Sequence, residues 1–219
     1  MESAFQSPRM HIPPAYAVAE HELREELARR PFGHLVTCGA SGLRTTATPF
    51  IFETDARDER YLVGHIAGRN GQASDLVSGM SALAVFGGPQ AYVSPRWYRE
   101  KPDLPTWNYV GIQVHGTLEP IDDEPGKRRV LSRTAEVMER HRAEPWSLEE
   151  ADPERVATLL PHIRAFRFAI ERLEGAHKLS QNKPPVERLN VIRGLLESGE
   201  PDALAVAKLM AAGTAPSSR

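Results

Sequence analysis

In the stretch GHIAGRNGQAS, Gly64 to Ser74, a histidine follows directly on an apolar run, and Arg69 and Asn70 come soon after. An imidazole at the end of such a run fills a core, helps to hold a phosphate, or ligates a metal. A helix start beside Arg69 and Asn70 would suit an anion. A second group is HKLSQNK, His177 to Lys183, where an apolar segment gives way to polar and basic residues around Leu179. Lys178 and Lys183 have the chemistry to hold a carboxylate or phosphate by charge-assisted hydrogen bonds, and the same segment also reads as a solvated linker. In GGPQAYVSPRWY, Ser94 and Arg96 are either polar contacts of a cofactor wall or parts of a corner plugged by Trp97 and Tyr98. In LPTWNYVGIQVHG, Trp107, Asn108 and Tyr109 open a strand whose aromatics pack a core or flank a flat conjugated ring. The single cysteine, Cys38, allows neither an internal disulfide nor a Cys-based zinc site, and reads as a small buried strand residue, with a haem thiolate or a nucleophile as the lesser alternative.

These residues need a scaffold. Glu20 to Arg30 is expected to be a helix with Leu23 and Leu27 on one face, ended by Pro31. GHLVTCGASGLRTTATPFIF reads as a β-hairpin and RYLVGHI as a third strand. GQASDLVSGM is expected to form a short helix closed by Gly79. ALAVFGG and AYVS are expected as two strands broken at Gly87-Gly88-Pro89, and TWNYVGIQVHGTLEPI as one long strand. That long strand places Val110, Ile112 and Val114 on one face and Tyr109, Gln113 and His115 on the other. Glu124 to Arg142 fits a helix, and DPERVATLL a second, with Asp152 as its cap. AFRFAIERLE turns Phe166, Phe168 and Ile170 inward and Arg167, Ala169 and Glu171 outward. Terminal helices are expected over Pro184 to Ser198, with Val186, Leu189, Ile192 and Leu196 as the apolar stripe, and over Asp202 to Met210. Some seven short-linked strands with peripheral helices make a mainly β, α+β fold, best closed as a small barrel whose rim or mouth holds a ligand.

The 219 residues are 41% hydrophobic and 26% charged, as in an ordinary globular protein, with a formal net charge of −2. That balance gives no support to a broad nucleic-acid surface. No apolar run approaches the roughly 18 residues of a membrane span, and MESAFQSPRM lacks a signal-peptide pattern, so a cytoplasmic location is expected. No dinucleotide fingerprint, HExxH, EF-hand loop or G-x-S-x-G elbow is present.

Taken in order, MHIPPAY, RPFGHLVT, GHIAGRN, GGPQAYVSPRWY, LPTWNYVGIQVHG and KLSQNK resemble the PaiB family, also called FMN-binding negative transcriptional regulators. The pieces span Met10 to about Met210. The resemblance implies an FMN-binding split β-barrel, usually a homodimer, with a flat cofactor at the subunit interface. Residues 1–183 would form the barrel domain, 184–211 helices packed on it, and 212–219 a flexible tail. Where the family ordinarily continues the histidine motif as Asn-Pro-Gln-Trp, this chain has Asn70-Gly71-Gln72-Ala73. A looser backbone and a missing ring imply a roomier pocket.

Two chemistries sit under this resemblance. One is FMN binding, with Arg69, Arg96 and Lys178 as phosphate donors and a repressor or flavin oxidoreductase as the activity. The other is similar to piperazate synthase, a haem enzyme that closes side-chain N-hydroxylated ornithine into a six-membered ring by forming an N–N bond. There the resemblance implies haem b with His65 as the iron ligand. Asn70, Ser94, Trp107 and Gln181 are the further cofactor contacts it implies. Tyr92, Tyr109 or His115 would relay the proton, and Arg96, Arg167 or Lys178 would take the carboxylate of the amino-acid substrate. The haem enzyme is the favoured expectation, acting as a homodimer on a small molecule.

Overall fold

The computed structural model describes residues 9–100 and 104–213. Phe32–Gly39 (β1) and Gly42–Thr54 (β2) form the expected hairpin, with Phe32 opposite Pro49 and Cys38 opposite Leu43. Arg60–Ala67 (β3), Met80–Val93 (β4), Thr106–Ile121 (β5) and Ile163–Lys178 (β6) follow. The strands close in the order β1-β2-β3-β6-β5-β4, which leaves no open edge. The pairs β1–β2, β1–β4, β2–β3 and β3–β6 are antiparallel. Six strands are thus described where seven were expected. Gly87-Gly88-Pro89 does not break β4, because neither glycine takes a positive φ and the chain runs on extended.

Two compact units divide the chain, and β4, β5 and β6 run through both. The larger comprises His21–Phe86 and Gln113–Leu173. Its core is a run of inward residues that alternate along each strand, including Leu35, Phe50, Leu62, Phe86, Phe166 and Phe168, all buried. Phe50 meets Phe86 and Phe166 edge to face, with ring centroids 5.2 and 5.8 Å apart. Burial of each such side chain contributes about 1.5–3 kcal/mol. Two strand glycines are required by this packing. A Cβ on Gly64 would lie 2.7 Å from the Phe166 ring, and one on Gly116 only 1.9 Å from the Ala169 carbonyl oxygen.

Glu20–Arg29 (α1) buries Leu23 and Leu27, as its spacing predicts. Glu124–Glu139 (α2) starts at Asp123, whose carboxylate accepts from the Gly126 N–H at 2.8 Å. Its Val130 and Val137 cover Ile51, Val63 and Ala165 on the outer side of the sheet. Pro153–Leu159 (α3) is capped by Asp152, as expected. GQASDLVSGM departs from expectation: only Gly71–Asp75 is helical, as a five-residue 3-10 turn, and Gly79 then reverses the chain at φ 77°. Asn70 and Gln72 direct their side chains back into the fold there, which favours a tight turn over an α-helix. Cys38 is exposed on β1, because its position falls on the outward parity of the strand.

The other unit comprises residues 9–20, 87–112 and 174–213 of those described. Pro185–Ser198 (α4) and Pro201–Ala212 (α5) pack on Ala91, Val93, Tyr98 and Leu179. Pro14–Tyr16 forms a 3-10 turn, and Ala17 bridges to Ala176. The expected stripe of α4 is only partly right. Ile192 packs inward, but Val186, Leu189 and Leu196 are exposed. The buried face carries Val191, Gly194 and Leu195, because Gly194 admits the Trp97 indole to 2.3 Å from where a Cβ would sit. The expected flexible tail lies, from residue 214, outside the described residues.

Candidate functional site

His65 stands two residues beyond Val63 on β3 and so shares its outward parity, on the side that α2 covers. Its backbone is fixed from both neighbouring strands: it pairs with Ala165 on β6, and its carbonyl accepts from Thr48 Oγ1 at 2.6 Å. The imidazole is half-buried. Nδ1 is sealed from solvent without a hydrogen-bond partner, while Nε2 is not sealed and has no partner among the described residues. Burial lowers its pKa from the ordinary 6.5, so the ring is held neutral with an available lone pair. No group of three or more His, Cys, Asp and Glu side chains gathers to hold a metal ion among the described residues. His65 is therefore judged as a single ligand.

The residues after His65 fasten the strand end. The Asn70 amide donates to Thr46 Oγ1 at 2.8 Å, and its Oδ1 accepts from the Gln72 N–H at 2.9 Å. Gln72 is buried and its amide reaches the Leu35 carbonyl and Thr37 Oγ1. Asp75 is buried and accepts from Thr37 Oγ1 at 2.7 Å and from Arg44 at 3.1 Å. Asn70 is thus engaged in the fold, and Arg69 is exposed with no partner among the described residues. A 3-10 turn of five residues supplies no helix N-terminus for an anion, contrary to the expectation at Arg69 and Asn70. Gly71 has open space where a side chain would project, with only Arg44 at 3.9 Å, and Ala73 is buried.

Arg167 lies on the same outer face, beside a cleft of about 370 Å³ floored by Tyr61, Val63 and Val130. It sits 4.3 Å over the Tyr61 ring and pairs with Asp55, Glu59 and Glu119 at 3.4–3.6 Å. Three carboxylates already compensate it, which argues against the expected role as receiver of a substrate carboxylate. His115 is half-buried on the outward parity of β5.

In the other unit, the aromatic residues singled out from sequence share a surface. Tyr92 and Trp107 meet edge to face at 6.1 Å, and Tyr109 is exposed on the parity of Trp107. Ser94 accepts from the Arg96 N–H at 3.2 Å and so caps a short 3-10 turn, leaving the Arg96 side chain exposed. Gln181 closes the turn after β6, accepting from the Leu179 N–H and donating to the His177 carbonyl. Lys178 and Lys183 both line a pocket of about 220 Å³. Sequence reading did not assign Tyr16, Thr106, Asn108, Ser180 or Asn182, which line the same pocket. The sequence signals were the polar run HKLSQNK, which holds Ser180 and Asn182, and the Asn108 carboxamide on the same strand parity as Val110 and Ile112.

Comparison with known proteins agrees with the barrel. Residues 10–172 match the family model described as "Putative FMN-binding domain". The chain is similar to the protease synthase and sporulation protein PAI 2 of Bacillus subtilis, with 30% identity over 203 residues, 92% of this chain and 96% of that one. Among solved structures it resembles the FAD and haem binding protein from Mycobacterium smegmatis, with TM-score 0.55, 16% identity, and coverage of 80% of this chain and 78% of that. It also resembles the flavocytochrome Anf3 from Azotobacter vinelandii, with TM-score 0.51, 15% identity, and coverage of 78% and 74%. Among the described residues, no helix is long and apolar enough to cross a membrane.

Proposed function

Because the chain belongs to the FMN-binding-domain family that includes PAI 2, we propose that it is a split-barrel enzyme binding haem b through His65 and closing a side-chain N-hydroxylated ornithine to piperazic acid. The observation that carries the proposal is His65 itself: a neutral imidazole on a rigid strand end, with Nδ1 buried and Nε2 accessible. Those are the properties of a proximal ligand, which must be deprotonated to bind iron and must not swing. Support also comes from the two structural neighbours, one named for FAD and haem binding and one named as a flavocytochrome. The departure from the usual family motif at Gly71 and Ala73 falls in the same segment.

The protein's own contributions are of two kinds. Gly64 lets β3 approach Phe166, and the Thr48 and Ala165 contacts fix the His65 main chain, so the imidazole leaves the sheet from a fixed position. The network of Asn70, Gln72 and Asp75 then anchors the turn that follows. Bound haem would supply a Lewis-acidic iron, which makes the hydroxylated nitrogen electrophilic. In the reaction the α-amine nitrogen attacks the side-chain nitrogen, the N–N bond forms and the N–O bond breaks. The hydroxyl leaves as water with the one proton that the α-amine nitrogen loses, so no external reductant or oxidant is consumed. Holding the two nitrogens in reach of each other is the largest service the protein can give such a cyclisation. The working unit on this proposal is a homodimer, as is usual in the family.

The test is turnover. Haem-loaded protein incubated with side-chain N-hydroxylated L-ornithine should give a cyclic product lighter by one water, and His65→Ala protein should give none. Unchanged substrate with fully loaded wild-type protein would refute the cyclase. An FMN spectrum in place of haem would assign the protein to the flavin side of the family.

A further inference from the structure

One cavity of the larger unit is walled by helices and turns. Leu131 of α2, Leu148 of the 3-10 turn Leu148–Glu150, Val156 and Leu159 of α3, Leu160 of the turn after it and Ile163 of β6 line it. It has about 210 Å³. Seven of its eight lining residues are apolar, and the eighth is Arg155. An apolar cavity of roughly 150 Å³ stays dry and already takes a molecule the size of benzene.

The walls are fixed by polar groups of their own. Asp152 accepts from the Glu154 N–H at 3.0 Å and starts α3. The Ser147 N–H donates to Glu150 Oε1 at 2.8 Å and so closes the preceding turn. The Trp146 N–H donates to Glu139 Oε2 at 3.4 Å, which ties that turn to the end of α2. Ile163 pairs with Ala67 on β3, and the His162 carbonyl accepts from the Gly68 N–H at 2.7 Å. Walls held this way do not collapse into the space between them.

Arg155 is exposed and has no partner among the described residues. The carboxylate of Glu150 is turned to Ser147, and neither Glu149 nor Glu154 lines the cavity. Leu159 is 51% exposed and stands four positions beyond Arg155 on α3, so the two share the rim. A guanidinium keeps its charge at any working pH and matches a carboxylate with a fork of donors. An apolar cavity with one charge at its rim suits an amphipathic anion: burial of the body supplies affinity and the charge fixes the orientation.

We infer that this pocket binds an aliphatic monocarboxylate of medium chain length, with the carboxylate on Arg155 and the chain in the cavity. A neutral molecule would leave Arg155 unused, and a short acid would leave the cavity empty. His65 does not line the pocket, so the site stands apart from haem.

The experiment is calorimetry of the full chain with octanoate, 1-octanol and acetate at constant ionic strength. The variants are Arg155→Gln, Arg155→Lys and Ala151→Phe, the last placing a ring in the cavity that Ala151 lines. The expected result is saturable binding of one octanoate per chain, at least tenfold tighter than 1-octanol, with no acetate binding at the same concentrations. Arg155→Gln should weaken octanoate about tenfold and leave 1-octanol unchanged, Arg155→Lys should keep most of the affinity, and Ala151→Phe should abolish both. Far-UV circular dichroism checks that each variant is folded. If Ala151→Phe does not fold, the loss of octanoate but not 1-octanol in Arg155→Gln decides alone. No saturable octanoate binding, equal affinity for octanoate and 1-octanol, or octanoate binding unchanged in Arg155→Gln or in folded Ala151→Phe overturns the site.

Discussion

Replacing Arg44 by methionine should destabilise the protein sharply, because it strands a buried carboxylate. Asp75 has 5% of its side chain exposed and Arg44 has 27%, and they meet at 3.1 Å. Removing one partner of a buried pair typically costs about 3–5 kcal/mol. Asp75 keeps the Thr37 hydroxyl at 2.7 Å, and the arginine end of the pair is partly wet, so the lower end, about 3 kcal/mol, is expected. For a protein of this length that is a loss of about 6–12 °C in melting temperature, at roughly 2–4 °C per kcal/mol. The double variant Arg44→Met/Asp75→Leu removes the stranded charge and should regain part of the loss, since apolar replacement of a buried pair is often tolerated. Thermal melts followed by circular dichroism at neutral pH decide it. A drop of less than about 2 °C for Arg44→Met, or a double variant no more stable than the single one, would show that Asp75 is not held as described.

Three further outcomes follow from other parts of the fold. Glu187 is buried and accepts from the backbone N–H groups of Arg99 and Glu100 at 3.0–3.3 Å, so Glu187→Ala should cost about 3 kcal/mol, at about 1.5–3 kcal/mol for each charge-assisted bond, and speed amide exchange at those two residues. Gly116→Ala must push a Cβ against the Ala169 carbonyl, and either about 3 kcal/mol is lost in urea unfolding or no folded protein is recovered. Because burial lowers the His65 pKa below 6.5, the unfolded chain takes up a proton that the folded protein refuses. Stability should therefore fall as pH drops below about 6.5. Urea midpoints at pH 7.5 and 5.5 should differ less in His65→Gln than in the wild type.

Much of the scaffold could be read from periodicity. The hairpin of β1 and β2, the long β5 and the alternation of Phe166 and Phe168 depend on the two-residue repeat, which the barrel enforces through one buried face. Glycine and proline misled where tertiary pairing overrode local preference, as in Gly87-Gly88-Pro89 inside β4. The face of α4 was misread because a glycine, Gly194, sets the contact with Trp97, and no hydrophobic pattern registers a missing side chain. For the candidate sites, the sequence named His65, Lys178 and Lys183. It could not show that Asn70 and Gln72 are spent on internal hydrogen bonds, or that Asn108 and Ser180 meet across 72 positions. Those facts depend on long-range contacts that leave no local spacing to read.

The most direct test of the central claim is the absorption spectrum of the purified protein, wild type beside His65→Ala. The account predicts a Soret band at one haem per subunit in the wild type and its loss in His65→Ala, with the far-UV circular dichroism of the two unchanged. A Soret band that persists undiminished in His65→Ala, or a flavin spectrum in the wild type, would contradict it.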